Sequence, residues 1–121
     1  MDTTESSAPR NLRNLDKPTG LGPRGEAAYD AIVAFLRRRK MTYTGGCKTF
    51  YSPAEWKARG EKYGLESALI VVYAGGEVRR AFCADEEDYK CIDAMHAALE
   101  KVGLYAEECT GWYCAIYTRT Q

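Results

Sequence analysis

Between Pro23 and Lys40 the apolar positions recur at helical spacing. Ala28, Ile32, Phe35 and Leu36 fall on one face, with Tyr29 and Val33 at its edge. Glu26 and Asp30 lie early in this stretch, and Arg37, Arg38, Arg39 and Lys40 end it, which is the order of charges a helix macrodipole favours. The pattern predicts a helix over 24–40. Its four terminal cations have the composition of a nucleic-acid patch, but a solvated helix end stabilised by its own charges also explains them, and that reading is taken. Upstream, residues 1–22 hold Pro9, Pro18, Gly20 and Gly22 and few apolar groups, with leucines at 12, 15 and 21. Such a segment offers little surface to bury against its ordering entropy and reads as a flexible tail, or as a docking arm using Arg10 and Arg13. Residues 23–121 then form a single domain.

After the helix, "MTYT" reads as extended, Gly45-Gly46 as a turn and "CKTFY" as a strand. Ser52-Pro53-Ala54-Glu55 is a helix start: the serine accepts from the third helical amide, Glu55 reaches back, and proline suits the first helical position. The helix is expected over 53–63, with Gly64 as its stop. "SALIVVY" is an almost unbroken β-branched run, the pattern of a central strand covered on both faces. "AGGE" then turns the chain and "VRRAFC" returns as a partner strand. Asp85 is expected to cap a helix over 86–102, with Cys91, Ile92, Met95, Ala98, Leu99 and Val102 as its buried stripe. "LYAEE" and "WYCAIYT" finish the chain as a hairpin. Alternation puts Trp112, Cys114 and Ile116 on one face of the last strand and Tyr113, Ala115 and Tyr117 on the other. The order of elements matches an α+β, ferredoxin-like (split βαβ) antiparallel sheet with helices on one face, plus an extra N-terminal helix.

Composition narrows the functional classes. Seventeen basic side chains balance seventeen acidic ones among 121 residues, so no net field draws the molecule to nucleic acid or to an anionic membrane, and an acidic DNA mimic is excluded. No apolar run approaches a membrane span and the N-terminus lacks the apolar core of a signal peptide, so the expected location is cytoplasmic. The five cysteines (Cys47, Cys83, Cys91, Cys109, Cys114) are an odd number for a disulfide framework and are expected as free thiols.

Candidate chemistry is sparse. The cysteines and His96, the single histidine, lack the closely spaced pairs of a zinc site. Positions 91 and 96 diverge by about 140° around a helix, so no metal and no cofactor are expected. Cys47 can be written as a nucleophile with His96 as base and Asp93 or Glu100 behind it, but no spacing requires them to meet. "GLGPRG" and "YAGGE" lack the strand–glycine–helix context of a phosphate loop and read as turns. A sheet carrying Phe50 and Tyr51 beside Arg79, Arg80 and Phe82 has the layout of an RNA-recognition motif, without the glycine of that family's third strand.

The stretch "TGGCKTFYSPAEWKARGEKYG" together with the ending "GLYAEECTGWYCAIY" resembles a group of short proteins encoded by bacteria, their phages and plasmids. The likeness runs from about residue 23 to the end, and the group has no assigned activity. The resemblance implies a setting only, an accessory protein of a mobile element, where small proteins often inhibit host defence or regulate by binding. The leading expectation is therefore a non-enzymatic protein that docks another protein. Its partner-binding residues would be Tyr113 and Tyr117 as anchors, with Tyr51, Arg79, Arg80 and Lys48 beside them. A single-stranded nucleic-acid binder acting through the sheet is the alternative, and a thiol-dependent enzyme at Cys47 the third class.

Overall fold

The computed structural model describes residues 14–119. In chain order its elements are α1 (Pro23–Arg38), β1 (Phe50–Tyr51), α2 (Pro53–Ala58), β2 (Leu69–Val72), α3 (Arg79–Phe82), a 3-10 turn (Ala84–Glu86), α4 (Tyr89–Glu100), β3 (Leu104–Thr110) and β4 (Tyr113–Thr118). All four residues of β2 are buried, as the continuous apolar run requires of a strand covered on both faces. The four-stranded sheet has the order β1-β2-β4-β3, and every neighbouring pair is antiparallel.

An α+β architecture is thus present, but the ferredoxin-like arrangement is not. Because β2 and β3 both oppose β4, they run the same way with β4 between them, which makes one split βαβ unit. β1 and β2 are adjacent and antiparallel, so the second interlocked unit is missing among the described residues. The expected third strand is the reason. "VRRAFC" folds as the single turn α3, burying Val78, Ala81 and Phe82, and these also have the i, i+3, i+4 spacing of a helix face. From its first position Arg79 donates to the carbonyls of Tyr73 (3.2 Å) and Gly111 (3.1 Å) and to Glu86 (2.9 Å). The guanidinium thereby ties the end of β2 to the β3–β4 turn, with no ladder formed by its own segment.

Other boundaries shift for local reasons. Asp85 lies in the 3-10 turn and caps nothing. Glu87 turns the chain through φ 58°, and Asp88 is the cap of α4, accepting from the Cys91 amide at 3.3 Å. In α2 the capping box forms as expected, the Ser52 hydroxyl accepting from the Glu55 amide and the Glu55 carboxylate from the Ser52 amide. The helix stops at Ala58, however, because Gly60 takes φ 90° two residues later. Of the tail expected over 1–22, the described residues from 14 on make packed contacts. Leu15 is buried in the main core, its carbonyl accepts the Tyr29 hydroxyl at 2.6 Å, and the Asn14 carbonyl accepts the Thr49 amide at 3.0 Å. Packing therefore begins by Asn14, and the rest of the expected tail, 1–13, lies outside the described residues.

Helices cover both sides of the sheet, not one. On the first side α1 and α4 bury Ile32, Leu36, Met95 and Leu99 against Phe50, Leu69, Val71, Cys114 and Ile116. On the other, Trp56 from α2 packs on Ile70, Val72, Tyr113 and Ala115. The main core is the larger, and the Trp56 cluster fixes which of the last-strand residues meet solvent.

Candidate functional site

The expected docking residues are dispersed by this second layer. Tyr113 is buried, its ring 4.9 Å from that of Trp56, so it is no exposed anchor. Burial raises its hydroxyl above the ordinary value of 10.0. Trp112 lies in the turn before β4, outside strand alternation, and its half-exposed ring packs 5.8 Å from Trp56 on the side it was expected to oppose. Arg79 is held by its bonds to Tyr73, Glu86 and Gly111. Arg80 is exposed and bonds Asp88 through two nitrogens (3.1 and 3.0 Å).

Tyr51 and Lys48 stay at the surface, on the same side as Trp56. The Lys48 ammonium lies 4.6 Å from the Tyr51 ring centre and 3.8 Å from Glu55. Arg59 sits over Tyr51 and Trp56 at 5.2 and 4.7 Å and donates to the Tyr51 hydroxyl at 3.1 Å. These aromatic faces are already occupied by the chain's own cations.

The thiol and imidazole remain separate in role. Cys47 is half-buried in the turn after Thr44, and its thiol donates to the Thr44 carbonyl at 3.1 Å. His96 lies on the exposed side of α4, away from the buried stripe Cys91, Met95 and Leu99. No hydrogen bond joins the two. Among the described residues no three His, Cys, Asp or Glu side chains are grouped to hold a metal ion, and no helix is long and apolar enough to cross a membrane. The central strands are covered on both faces, and Arg79, Arg80 and Phe82, which a base-stacking reading needs on the sheet, are not in it.

What the sheet leaves open is its β3 edge. The Arg119 amide donates to the Gly103 carbonyl, and from this pair the antiparallel register makes Tyr105↔Tyr117 and Glu107↔Ala115 the hydrogen-bonded pairs. The N–H and C=O groups of Leu104, Ala106 and Glu108 consequently point away from β4, and none has another backbone partner among the described residues; Leu104 is fully buried, so the accessible groups are those of Ala106 and Glu108. A register shift between Glu108 and Thr110 makes Cys109 the extra residue of a bulge.

Two hollows are lined by β3 residues, and another adjoins the first of them. One, of about 220 Å³, is lined by Tyr63, Gly64, Glu107, Glu108, Cys109 and Tyr117. It adjoins a second, of about 280 Å³, through Tyr63, Gly64 and Tyr117. A third, of about 320 Å³, continues past the bulge between Asp85, Glu108 and Gly111. Tyr105 stacks on Tyr117 at 5.7 Å, and Tyr63 is the most exposed of the large hydrophobic residues described, at 63%.

Burial first, and the Glu107 carboxylate second, raise the Cys109 thiol above its ordinary value of 9.0. The thiol in this groove is therefore neutral near pH 7, the opposite of what a nucleophile needs. Of the expected anchors only Tyr117 belongs to this site. Tyr63, Tyr105, Glu107 and Glu108 were missed, although the outer position of "LYAEE" in a terminal hairpin carried a signal for the last three. The chain matches no protein-family model, no curated protein and no solved structure.

Proposed function

We propose that this is a non-enzymatic docking protein that captures a partner protein by taking one of its extended segments onto β3. The carrying observation is the accessible outward backbone groups of Ala106 and Glu108 beside tyrosine-lined hollows. Main-chain groups supply affinity in such strand addition, and pockets for alternate side chains supply selectivity. Hollows of this size suit single side chains of a peptide better than a drug-sized ligand. Glu107 and Glu108 are exposed and pair with no cation among the described residues. They favour a segment carrying lysine or arginine, and they disfavour self-pairing, which would set the glutamates of two copies against each other. An accessory role on a mobile element, as an inhibitor of host defence or a regulator, is the setting we attach to this docking.

Ala106→Pro tests it. Proline removes one outward N–H and is tolerated on an edge strand, so the variant should melt within a few degrees of the parent. A partner captured from the host should protect the Ala106 and Glu108 amides from hydrogen exchange in the parent and should no longer bind the variant. Capture unchanged by the substitution would place docking elsewhere.

A further inference from the structure

The end of α1 is built differently from an ordinary solvated terminus. The Lys40 amide bonds the Arg37 carbonyl (3.1 Å) and the Met41 amide bonds the Leu36 carbonyl (2.8 Å), while the Arg39 amide bonds that of Phe35 (3.1 Å). This is a Schellman closure, and it satisfies the carbonyls of Phe35, Leu36 and Arg37 with backbone donors, so the four cations are not needed to cap those three. The left-handed residue such a closure demands is normally glycine. Here it is Lys40, at φ 57°, where a side chain costs about 1 kcal/mol. A helix dipole gains from one or two cations in its last turn. It does not account for a lysine placed where the backbone asks for glycine.

The surroundings are equally specific. Arg37, Arg38, Arg39 and Lys40 are all exposed, and none forms an ion pair among the described residues. The Arg39 guanidinium is set 4.8 Å from the centre of the Phe35 ring and that of Arg38 6.0 Å from it. The Met41 thioether meets the Cys91 thiol at 3.8 Å, which joins this corner to the start of α4. Two exposed tyrosines belong to the adjoining segments, Tyr43 (53%) three residues after Lys40 and Tyr89 (58%) at the start of α4. Two acids near this corner are engaged, Glu77 by the Tyr43 amide (3.3 Å) and Asp88 by Arg80, while Glu87 and Asp93 on the α4 side are exposed. Interleaved unpaired cations and free aromatic rings are the arrangement that tracks a phosphate backbone while stacking unpaired bases.

We propose that the Arg37–Lys40 end of α1, flanked by Tyr43 and Tyr89, is a binding site for single-stranded nucleic acid. It is independent of the β3 edge and leaves the covered sheet faces out of account. Tyrosine rings reach only unpaired bases, which favours a single strand over a duplex. The corner exposes no leucine, isoleucine, phenylalanine or tryptophan to insert into a bilayer, which disfavours a membrane.

Fluorescence anisotropy with a labelled oligo(dT) 20-mer, across a salt series, tests the proposal. Saturable binding is expected, with log K falling against log salt at a slope of about −2 to −3 for three or four phosphate contacts. Lys40→Gly is the decisive variant. It should raise the melting temperature by relieving the backbone and yet flatten the salt slope by about 0.7, whereas a purely structural lysine would change stability alone. Tyr43→Ser with Tyr89→Ser should weaken oligo(dT) binding several-fold at constant slope. Absence of saturable binding at 50 mM salt, duplex or phosphatidylserine vesicles bound as tightly as oligo(dT), or unaltered affinity in Lys40→Gly would each overturn it.

Discussion

Gly45 and Gly46 sit side by side at φ 71° and 88°, yet the structure asks different things of them. A Cβ on Gly46 would meet nothing within 4 Å, whereas one on Gly45 would lie 2.7 Å from the Gly76 nitrogen and 2.8 Å from the Gly75 carbonyl carbon. Two turns far apart in sequence touch backbone to backbone here. Gly46→Ala should therefore cost only the left-handed strain, about 1 kcal/mol. Gly45→Ala should cost that and an overpacking term of about 1–3 kcal/mol besides. Urea unfolding of the two variants measures the difference, and equal losses would mean that the contact between the turns contributes nothing. Both turns are legible in the glycine pairs, because positive φ is a local demand. Their contact is not legible, since no local pattern records which turn meets which. The same limit hid Tyr113: alternation correctly set it opposite Cys114 and Ile116, but which face Trp56 would cover depends on a helix some 60 residues earlier.

At the scale of elements, α2 shows how a short helix can be specified by its start alone. Six residues are too few to hold a helix by propensity; what holds α2 is the capping box at Ser52 and the burial of Trp56. Ser52→Ala should cost about 1 kcal/mol and loosen the indole, so tryptophan emission should shift to the red in the native baseline. A loss of stability with unchanged emission would mean that packing on Ile70 and Tyr113 fixes Trp56 without the cap. The start of α2 was readable because Ser-Pro-x-Glu acts within four residues. Its end was not, because Gly60 and Gly64 are both plausible stops and only packing selects between them. "VRRAFC" failed for a related reason. Six residues fit the strand period and one helical turn about equally well, and the deciding bonds from Arg79 run to Tyr73, Glu86 and Gly111. That misplaced strand carried the ferredoxin-like reading with it, while the helix and strand content survived.

For the molecule as a whole, the buried thiols and phenols set how stability responds to pH. Burial is the first cause raising Cys83, Cys91, Cys109 and Cys114 above the ordinary thiol value of 9.0, and Tyr29, Tyr73, Tyr113 and Tyr117 above 10.0. Cys114 is on the main-core face of β4, and its thiol is raised well above 9.0. These groups are neutral when protonated, so the folded chain holds its protons to higher pH than the unfolded one. Their contribution is complete below pH 9 and is lost as pH rises toward the raised folded values. On the acid side Asp88 is shifted down, chiefly by its bonds from Arg80 and then by the Cys91 amide. Its contribution is present above 3.8 and is lost as pH falls through the lowered value, and its exposure makes that loss small. Urea midpoints from pH 3 to 10.5 should therefore form a plateau with a shallow acid limb and a steeper alkaline one. Cys114→Ala should lower the plateau by the loss of one buried thiol but visibly flatten the alkaline limb. An alkaline limb unchanged in that variant would transfer the effect to the tyrosines, and no decline above pH 9 would mean that the core admits hydroxide-accessible water to these side chains before it unfolds.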